Sequence, residues 1–431
     1  MCIKNDCKRE KEKIMVLTRN KLFENIEDFI MALLIIFSSL YSIFELSKIT
    51  YLDELLIFML FCVSIFRNKT LKIETTGKLI LVYLGYATVV SIFNLVNIFG
   101  FIESIPFTIK VPFVFFTFTQ LKISDERRNK LLMIFFLANI PSMIRGMWQY
   151  THRSLGWALG LKMRNGTIRV MGCAAHPIWF AFSMIIMIII TLSIFKVSQK
   201  YKILSRVLKI LLVAAMLFLI YVSQTRYAIA VLLIIAYSWI LMKSYHGKKA
   251  FTFLLVFLGI VIALFYGWSI FQDVIGTDSE TVRSQGLAAL PKAIYNYPFG
   301  SGLGTFGNKE SVVYHSKVYS TLGMGIPSID KSFNSGNVFE SMLVQRVVET
   351  GVLGTICYVM IFLYPLKSYK LCNDSVSVLI LLTFFWNSVM NVAYQLPLIV
   401  VAGIAFSNIN YNKKMHQTKK MQYKSKMEES L

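Results

Sequence analysis

The feature that most constrains this chain is a series of about twelve apolar stretches, each long enough to cross a lipid bilayer. Backbone polar groups in lipid must hydrogen-bond within their own segment, so these stretches are predicted to be helices. We therefore predict an all-α, polytopic integral membrane bundle of about 12 transmembrane helices. The stretches lie at about residues 29–46, 51–66, 79–99, 105–121, 131–149, 176–195, 207–222, 227–242, 250–271, 338–364, 376–391 and 394–409.

Composition excludes a soluble protein of this length. Of 431 residues, 56% are hydrophobic and only 16% are charged, whereas soluble globular domains carry about 25% charged residues. The 6 cysteines form no Cys-x-x-Cys pair and no zinc-type spacing, so neither a disulfide framework nor a structural metal is expected. The first apolar stretch lacks a small-residue cleavage site and is predicted to be a retained helix.

The positions of the charged residues predict the orientation in the membrane. Lys and Arg number 45 against 23 Asp and Glu. The positive residues collect at the amino terminus, in the tail, and after the second, fourth, sixth, eighth and tenth stretches, as expected for connections that face the cytoplasm. Both termini are thus predicted to be cytoplasmic, and the positive excess reflects topology and not nucleic-acid binding.

The same pattern divides the chain into segments. They are a cytoplasmic amino-terminal segment (1–28), transmembrane helices 1–9 (29–271), one large external loop (272–337), transmembrane helices 10–12 (338–410) and a basic cytoplasmic tail (411–431). Ordered loops as long as the external one are uncommon unless they have a function. The external loop is therefore expected to contribute to the functional site.

Several cations lie on the predicted outer side, where positive charge is disfavoured. Arg145 and Lys110 lie near the outer ends of their helices, Arg169 precedes the sixth helix, Arg226 follows a tight turn, and Arg283 lies in the external loop. A guanidinium group matches phosphate oxygens, so an anionic ligand at the outer face is the simplest explanation. The alternative is that these are solvated charges or contacts to lipid headgroups.

Short motifs around the external loop resemble those of the O-antigen polymerase and ligase superfamily. Each motif alone is common, but their order and spacing carry the resemblance, which covers roughly residues 140–410. The motifs are the turn Ser223-Gln-Thr-Arg226, the segment Arg169-Val-Met-Gly172-Cys-Ala-Ala-His176-Pro177, the run Pro298-Phe-Gly300-Ser-Gly302-Leu-Gly304-Thr-Phe306, and Glu340-Ser341 followed by Glu349-Thr-Gly351-Val-Leu-Gly354.

The resemblance implies transfer of sugar from an undecaprenyl-diphosphate carrier at the outer face of the cytoplasmic membrane. In such proteins the outer arginines are taken to hold the diphosphate, a role that falls here on Arg169, Arg226 and Arg283. Ligases resemble one another in a His-Asn pair before the last motif, whereas this chain has Phe339-Glu340-Ser341, which favours a polymerase. The implied partners are a lipid-linked oligosaccharide, membrane lipid, a chain-length regulator and a flippase.

The implied reaction needs charge stabilisation at the departing diphosphate and a base for the accepting hydroxyl. No Asp-x-Asp motif occurs at an outer position, so arginines, Arg145 among them, are predicted to replace a metal, and no cofactor is expected. Glu340 is the predicted base, and the alternative is a helix-start residue favoured by the helix dipole. The amides of Gly302 and Gly304 are predicted to cradle a phosphate, unless these glycines only make the loop flexible.

Three further candidate residues have strong structural alternatives. Glu349 lies three residues after Arg346 on one helical face, so an ion pair is the favoured role for both. His176, at the mouth of the sixth helix, is more typical of a hydrogen-bonded interfacial residue than of a catalyst. His315 in the external loop could serve as a displaced base, which keeps a ligase open. A flippase is the alternative from another class, although the unusual charges lie at the outer face and not at the midplane.

Overall fold

The computed structural model describes residues 2–40, 52–71, 73–155, 163–164, 167–174, 176–195, 201–244, 282–324, 341–364, 374–390 and 396–429. Almost all of these residues are helical, which confirms the predicted all-α fold at that level. A small antiparallel hairpin pairs β1 (Met163–Arg164) with β2 (Thr167–Ile168). The helices are α1 (Cys2–Ser39), α2 (Leu52–Asn68), α3 (Thr75–Phe93), α4 (Ile98–Gln120), α5 (Asp125–Thr151), α6 (Pro177–Ser193), α7 (Lys202–Val222), α8 (Arg226–Ser244), α9 (Val282–Asn296), α10 (Lys309–Val313), α11 (Val318–Thr321), α12 (Met342–Leu363), α13 (Ser375–Met390) and α14 (Leu396–Glu429).

Five of the described helices, α3, α4, α5, α7 and α12, are long and apolar enough to cross a membrane. Shorter apolar helices lie at Pro177–Ser193, Arg226–Ile240 and Ser375–Ser388. Every predicted stretch overlaps a helix except that at 250–271, which lies outside the described residues. The helices therefore fit a membrane protein, while the total of twelve spans stays a prediction.

Several helix boundaries differ from the prediction. α1 already begins at Cys2, so the segment 1–28 is helical and continuous with the first predicted span over its described length. α4 begins at Ile98 because the Asn97 side chain accepts hydrogen bonds from two amides of the first turn, which makes the predicted outer turn before this span helical. α14 runs through the predicted tail as far as Glu429.

The main core lies around α6 and the first part of α14. The side chains from Ile178 to Thr191 and from Leu398 to Ile409 are almost all buried. A Cβ atom added at Gly403 would lie 2.4 Å from the Phe118 ring of α4, so α4 and α14 are in direct contact. α7 instead lies at the perimeter, where its exposed leucine and isoleucine side chains are suited to face lipid.

A second, smaller core lies apart from the main one. It joins α9, α10 and α11 to Val344 and Val348 of α12 through side chains that include Phe306. We call residues 282–324 the outer cap, after the side of the membrane on which the sequence predicts them to lie. α12 is not one continuous helix, because Gly351 has non-helical dihedral angles (φ 65°, ψ −175°). The predicted tenth span is therefore divided into a first part that packs against the outer cap and a second part that packs on α3.

Ion pairs join helix ends that are predicted to face the cytoplasm. Glu27 of α1 lies 2.7 Å from Arg67 of α2 and 2.8 Å from Arg127 of α5. Arg128 of α5 lies 2.5 Å from Asp374, which directly precedes α13. The end of α2, the starts of α5 and α13 and the part of α1 around Glu27 thus lie together, as expected if they are on the same side of a membrane.

Lys110, predicted as an outer cation, lies near the middle of α4 and is paired with α2. Its ammonium group lies 2.5 Å from the Asp53 carboxylate and 2.7 Å from that of Glu54. Both acidic residues lie in the first turn of α2. Lys110 therefore balances carboxylates of the bundle, which accounts for this cation without an anionic ligand.

Candidate functional site

The segment from Arg169 to His176 packs against the end of α5. The Gln149 side chain accepts hydrogen bonds from the amides of Met171 (3.1 Å) and Gly172 (2.8 Å). The Ser142 hydroxyl accepts a hydrogen bond from the Cys173 amide at 3.0 Å. Two polar side chains of α5 thus fix the backbone of the segment that carries the predicted cation Arg169.

Arg169 joins this segment to the turn between α7 and α8. Its Nε donates a hydrogen bond to the Ser223 carbonyl (3.1 Å), and its terminal nitrogen donates to the Thr225 hydroxyl (3.2 Å). The Val170 amide also donates to the Val222 carbonyl at 3.4 Å. The Arg169 residue is only 9% exposed. Two of the motifs recognised in the sequence are therefore in direct contact.

Arg226 is the first residue of α8, and its side chain is exposed. The preceding Thr225 carbonyl accepts the amides of Ala228 and Ile229, which begins the helix. Gln224 has a φ of 51°, in the left-handed region that non-glycine residues rarely adopt. A cation at a helix amino terminus opposes the helix dipole, whereas an anion there would be stabilised by both the guanidinium and the dipole.

Arg145 of α5 lies beside the Cys173 thiol. Burial raises the pKa of this thiol, and the nearby Arg145 guanidinium acts in the opposite direction. Arg145 is half-buried. Arg145 therefore lies next to the segment that contains Arg169. Arg169 in turn contacts the turn before Arg226. We call Arg145, Arg169 and Arg226 the basic cluster.

A second polar group surrounds Glu349 in the first part of α12. One Glu349 carboxylate oxygen accepts hydrogen bonds from the Gly304 amide (2.9 Å) and the Asn308 side chain (3.3 Å). The other lies 2.9 Å from the Arg346 guanidinium, which also donates to the Thr108 hydroxyl at 3.1 Å. Glu349 is 0% and Arg346 is 1% exposed. The predicted ion pair is present, and we call these five residues the Glu349 network.

The glycine-rich run packs against the break in α12. Gly302 donates its amide to the Glu349 carbonyl at 2.8 Å, and Gly304 donates to the Glu349 carboxylate. Their φ angles are 98° and 78°. A Cβ atom at Gly304 would lie 2.5 Å from the Gly100 carbonyl oxygen. The Gly304 amide thus binds the Glu349 carboxylate and the Gly302 amide binds the Glu349 carbonyl, so both amides predicted to cradle a phosphate are bonded within the protein.

The remaining predicted residues have separate positions. Glu340 lies outside the described residues. Arg283 is the second residue of α9, and the structure describes its backbone only. His315 is exposed and has a φ of 49°. His176 begins α6, where its Nδ1 accepts a hydrogen bond from the Ile178 amide at 3.2 Å, so it acts as a helix cap.

An acidic group on the outer cap was not singled out by the sequence. Glu310 is only 5% exposed, and its Oε2 has no hydrogen-bond partner among the described residues. Burial raises the pKa of its carboxyl group, and the charge of Glu103 adds to this effect. The Tyr314 hydroxyl donates to Glu103 at 3.0 Å. Within the described ranges, no set of three His, Cys, Asp or Glu side chains is arranged to hold a metal ion.

The basic cluster and the Glu349 network lie on different helices. α13 packs against α12, which carries Glu349, and also against α6 and α8, which begin beside the basic cluster. Gln149, Ser142 and Asn308 hold these groups in place and were not predicted as site residues. Isolated polar residues of this kind resemble any other helix or loop position until their neighbours are known.

Neither a protein-family model nor a curated protein matches this sequence. The geometry of the basic cluster and of the outer cap is therefore the basis on which a function is proposed.

Proposed function

We propose that this protein is a polysaccharide polymerase of the cytoplasmic membrane. It would transfer a glycan from an undecaprenyl-diphosphate carrier to a lipid-linked repeat unit at the outer face. The observation that carries the proposal is the contact of Arg169 with the turn that precedes Arg226, at the amino terminus of α8. Arg145 lies beside Cys173, in the segment that carries Arg169.

Such a cluster suits a diphosphate leaving group. The exposed Arg226 guanidinium offers donors that match phosphate oxygens, and the first amides of α8 favour negative charge at the same place. Contacts of this kind, fixed in advance where charge develops, are worth about 3–4 kcal/mol each in known active sites. Arg283 remains a proposed contributor from the outer cap.

The base of the proposed reaction is assigned to Glu340. Glu349 is unsuited to that task because both its carboxylate oxygens already accept hydrogen bonds from neighbouring donors. Its role is to hold the outer cap on the bundle. In the sequence Glu340 directly precedes Ser341, whose hydroxyl caps the first turn of α12.

The proposal is tested with purified protein and a defined undecaprenyl-diphosphate repeat unit, without added metal. We expect a ladder of lengthened lipid-linked products. Arg226→Ala should lower the rate about 10²-fold, since one charge-stabilising donor is lost, and Arg226→Lys should fall between. Arg206→Ala is the matched control, because Arg206 is also an exposed arginine but lies at the opposite end of α7. Normal chain lengths with Arg226→Ala would overturn the proposal.

Product analysis also separates the alternatives. A ligase would move the glycan onto a terminal acceptor without lengthening it. A flippase would move the repeat unit across a vesicle membrane without forming a glycosidic bond. The position of the basic cluster at the helix ends, and not halfway along them, favours chemistry at a membrane surface over transport through the bundle.

A further inference from the structure

We propose that Arg169 and Arg226 have different tasks: Arg226 contacts the diphosphate, and Arg169 positions Arg226 by holding the turn from Ser223 to Thr225. The identity of the ligand rests on the proposed function. The positioning role rests on the contacts themselves.

The guanidinium of Arg169 is directed at the turn. Its Nε and one terminal nitrogen donate to the Ser223 carbonyl (3.1 Å) and the Thr225 hydroxyl (3.2 Å). Both acceptors are almost fully buried, at 0% and 3% exposure, and Arg169 itself is 9% exposed. Arg226, which directly follows Thr225, is exposed. One arginine thus faces the protein and the other faces outward.

The turn needs such support because its local conformation is unfavourable. Gln224 adopts a left-handed φ of 51°, which side chains with a Cβ atom disfavour. The Ser223 hydroxyl donates to the Ile220 carbonyl at 2.6 Å, which ties the turn to the end of α7. Arg169 supplies the tie on the other side. Without it, the turn is expected to relax and to move the first residue of α8.

A small movement of Arg226 is sufficient to affect a reaction. Displacement of a catalytic group by about 1 Å can lower a rate on the order of 10²-fold. A lysine at position 169 cannot replace the arginine fully, because an ammonium group lacks the planar fork that reaches two acceptors at once.

Since Arg169 contacts the turn and not the substrate, the positioning role predicts that its loss lowers the rate with little loss of substrate affinity.

A double-mutant cycle tests this role in the full-length protein with the lipid-linked repeat unit as substrate. Arg169→Gln should lower kcat about tenfold or more with little change in KM, and Thr225→Val should lower it less. The double variant should be no slower than Arg169→Gln, because both changes remove the same contact. Independent, multiplicative losses would show that Arg169 acts on the substrate directly and would overturn the inference.

Hydrogen exchange provides a test that does not require activity. Amides of residues 223–229 should exchange about tenfold faster in Arg169→Gln than in the wild type, while those of the buried part of α14 stay unchanged. Arg226→Ala should leave the exchange of these amides unchanged. If Arg169→Gln does not fold, Thr225→Val replaces it in the comparison. Unchanged exchange in the turn would overturn the inference.

The two experiments separate this inference from the proposed function. If Arg169→Gln speeds exchange in the turn but the wild type forms no ladder, the positioning role stands and the polymerase proposal is rejected. A ladder-forming protein whose turn is insensitive to Arg169 would retain the polymerase and remove the positioning role.

Discussion

At the scale of single residues, Glu349 shows how one buried carboxylate can organise a large part of the molecule. It receives donors from the glycine-rich run, from α10 through its cap Asn308, and from Arg346 of its own helix. A buried charge is costly unless it is paired and hydrogen-bonded. Gly304 and Asn308 of the outer cap supply two of these donors, so the desolvation of the charge is fully offset only when the cap is in place.

Loss of the Glu349 charge should therefore loosen the outer cap. Glu349→Gln leaves the Arg346 guanidinium buried without its counter-ion, and we expect a loss of about 3–5 kcal/mol in the free energy of unfolding. Denaturation in detergent, together with limited proteolysis between residues 297 and 324, measures this effect.

A matched control is Glu24→Gln. Glu24 is 48% exposed at its side chain and lies 3.7 Å from Arg67, so its removal should cost at most about 1 kcal/mol. Equal effects of the two substitutions would contradict the structural role given to Glu349.

Glu310 should make the stability of the outer cap depend on pH. Burial raises the pKa of the Glu310 carboxyl above its ordinary value of 4.5, so the folded protein binds this proton more tightly than the unfolded chain. The resulting stabilisation is complete below pH 4.5 and is lost as the pH rises through the higher pKa of the folded state.

Glu310→Gln should remove this dependence. Thermal unfolding midpoints of wild type and variant should diverge in favour of the variant as the pH rises from about 4 to 8. A difference that stays constant over this range would show that the pKa of Glu310 is the same in the folded and unfolded states.

At the scale of elements, α12 is interrupted where two backbone segments meet. A Cβ atom at Gly351 would lie 2.5 Å from the Phe299 carbonyl carbon, and one at Gly300 would lie 2.5 Å from the Glu349 carbonyl oxygen. Both glycines have a positive φ. The contact frees the carbonyls of Val348 and Glu349 from the helix, and the amides of Ser301 and Gly302 satisfy them.

Gly351→Ala should therefore be strongly destabilising. The added methyl group meets backbone that cannot move aside, and the required φ of 65° is strained for alanine, so we expect a loss of more than about 2 kcal/mol.

Gly85→Ala in α3 is the control, because nothing lies within 4 Å of its added Cβ atom. It should stabilise the helix by about 0.5–1 kcal/mol. Unfolding of both variants in detergent compares them, and similar midpoints would show that the break in α12 tolerates a side chain.

The helices themselves were largely predictable, and their interruptions were not. Length and apolarity predicted a helix wherever a stretch is described, because these properties depend on the stretch alone. The break at Gly351 depends on contact with Gly300, which is distant in sequence. The hydropathy of a stretch does not reveal such a break, so the sequence predicts one continuous span at 338–364.

At the scale of the whole molecule, charges are sorted to two ends of the bundle. Ion pairs join α1, α2, α5 and the start of α13 at one end. The basic cluster and the outer cap lie at helix ends that the sequence predicts to be on the other side. This separation agrees with the alternation of positive connections along the chain.

Single-cysteine labelling should confirm that the two ends face different compartments. In a variant without the six native cysteines, a cysteine at His315 should react with a membrane-impermeant maleimide in intact cells. A cysteine at Thr70 should react only after permeabilisation. Both positions are exposed, so access depends on the side of the membrane. If only Thr70→Cys is labelled in intact cells, the orientation is opposite to the predicted one and the basic cluster is not at the outer face.

Part of the candidate site could be predicted from the sequence, because a positive charge on the disfavoured side of a membrane is recognised from the order of residues alone. Arg169 and Arg226 were predicted in this way, and the structure connects them through the turn before α8. The pairing of Lys110 with α2 and the binding of Glu349 by Gly304 were not predicted, since both depend on which elements are neighbours in space.

The separate core of the outer cap sets the natural boundary for chimeric proteins. Val344 and Val348 pack with α9, α10 and α11, so the first part of α12 should be transplanted together with residues 282–324. A junction placed before residue 342 would divide Val348 from Phe306 and expose apolar surface on both fragments. A junction at Gly351 would keep this core and the Glu349 contacts in one fragment, and the recipient would have to supply Thr108 for Arg346 and Ser91 for the Leu303 amide.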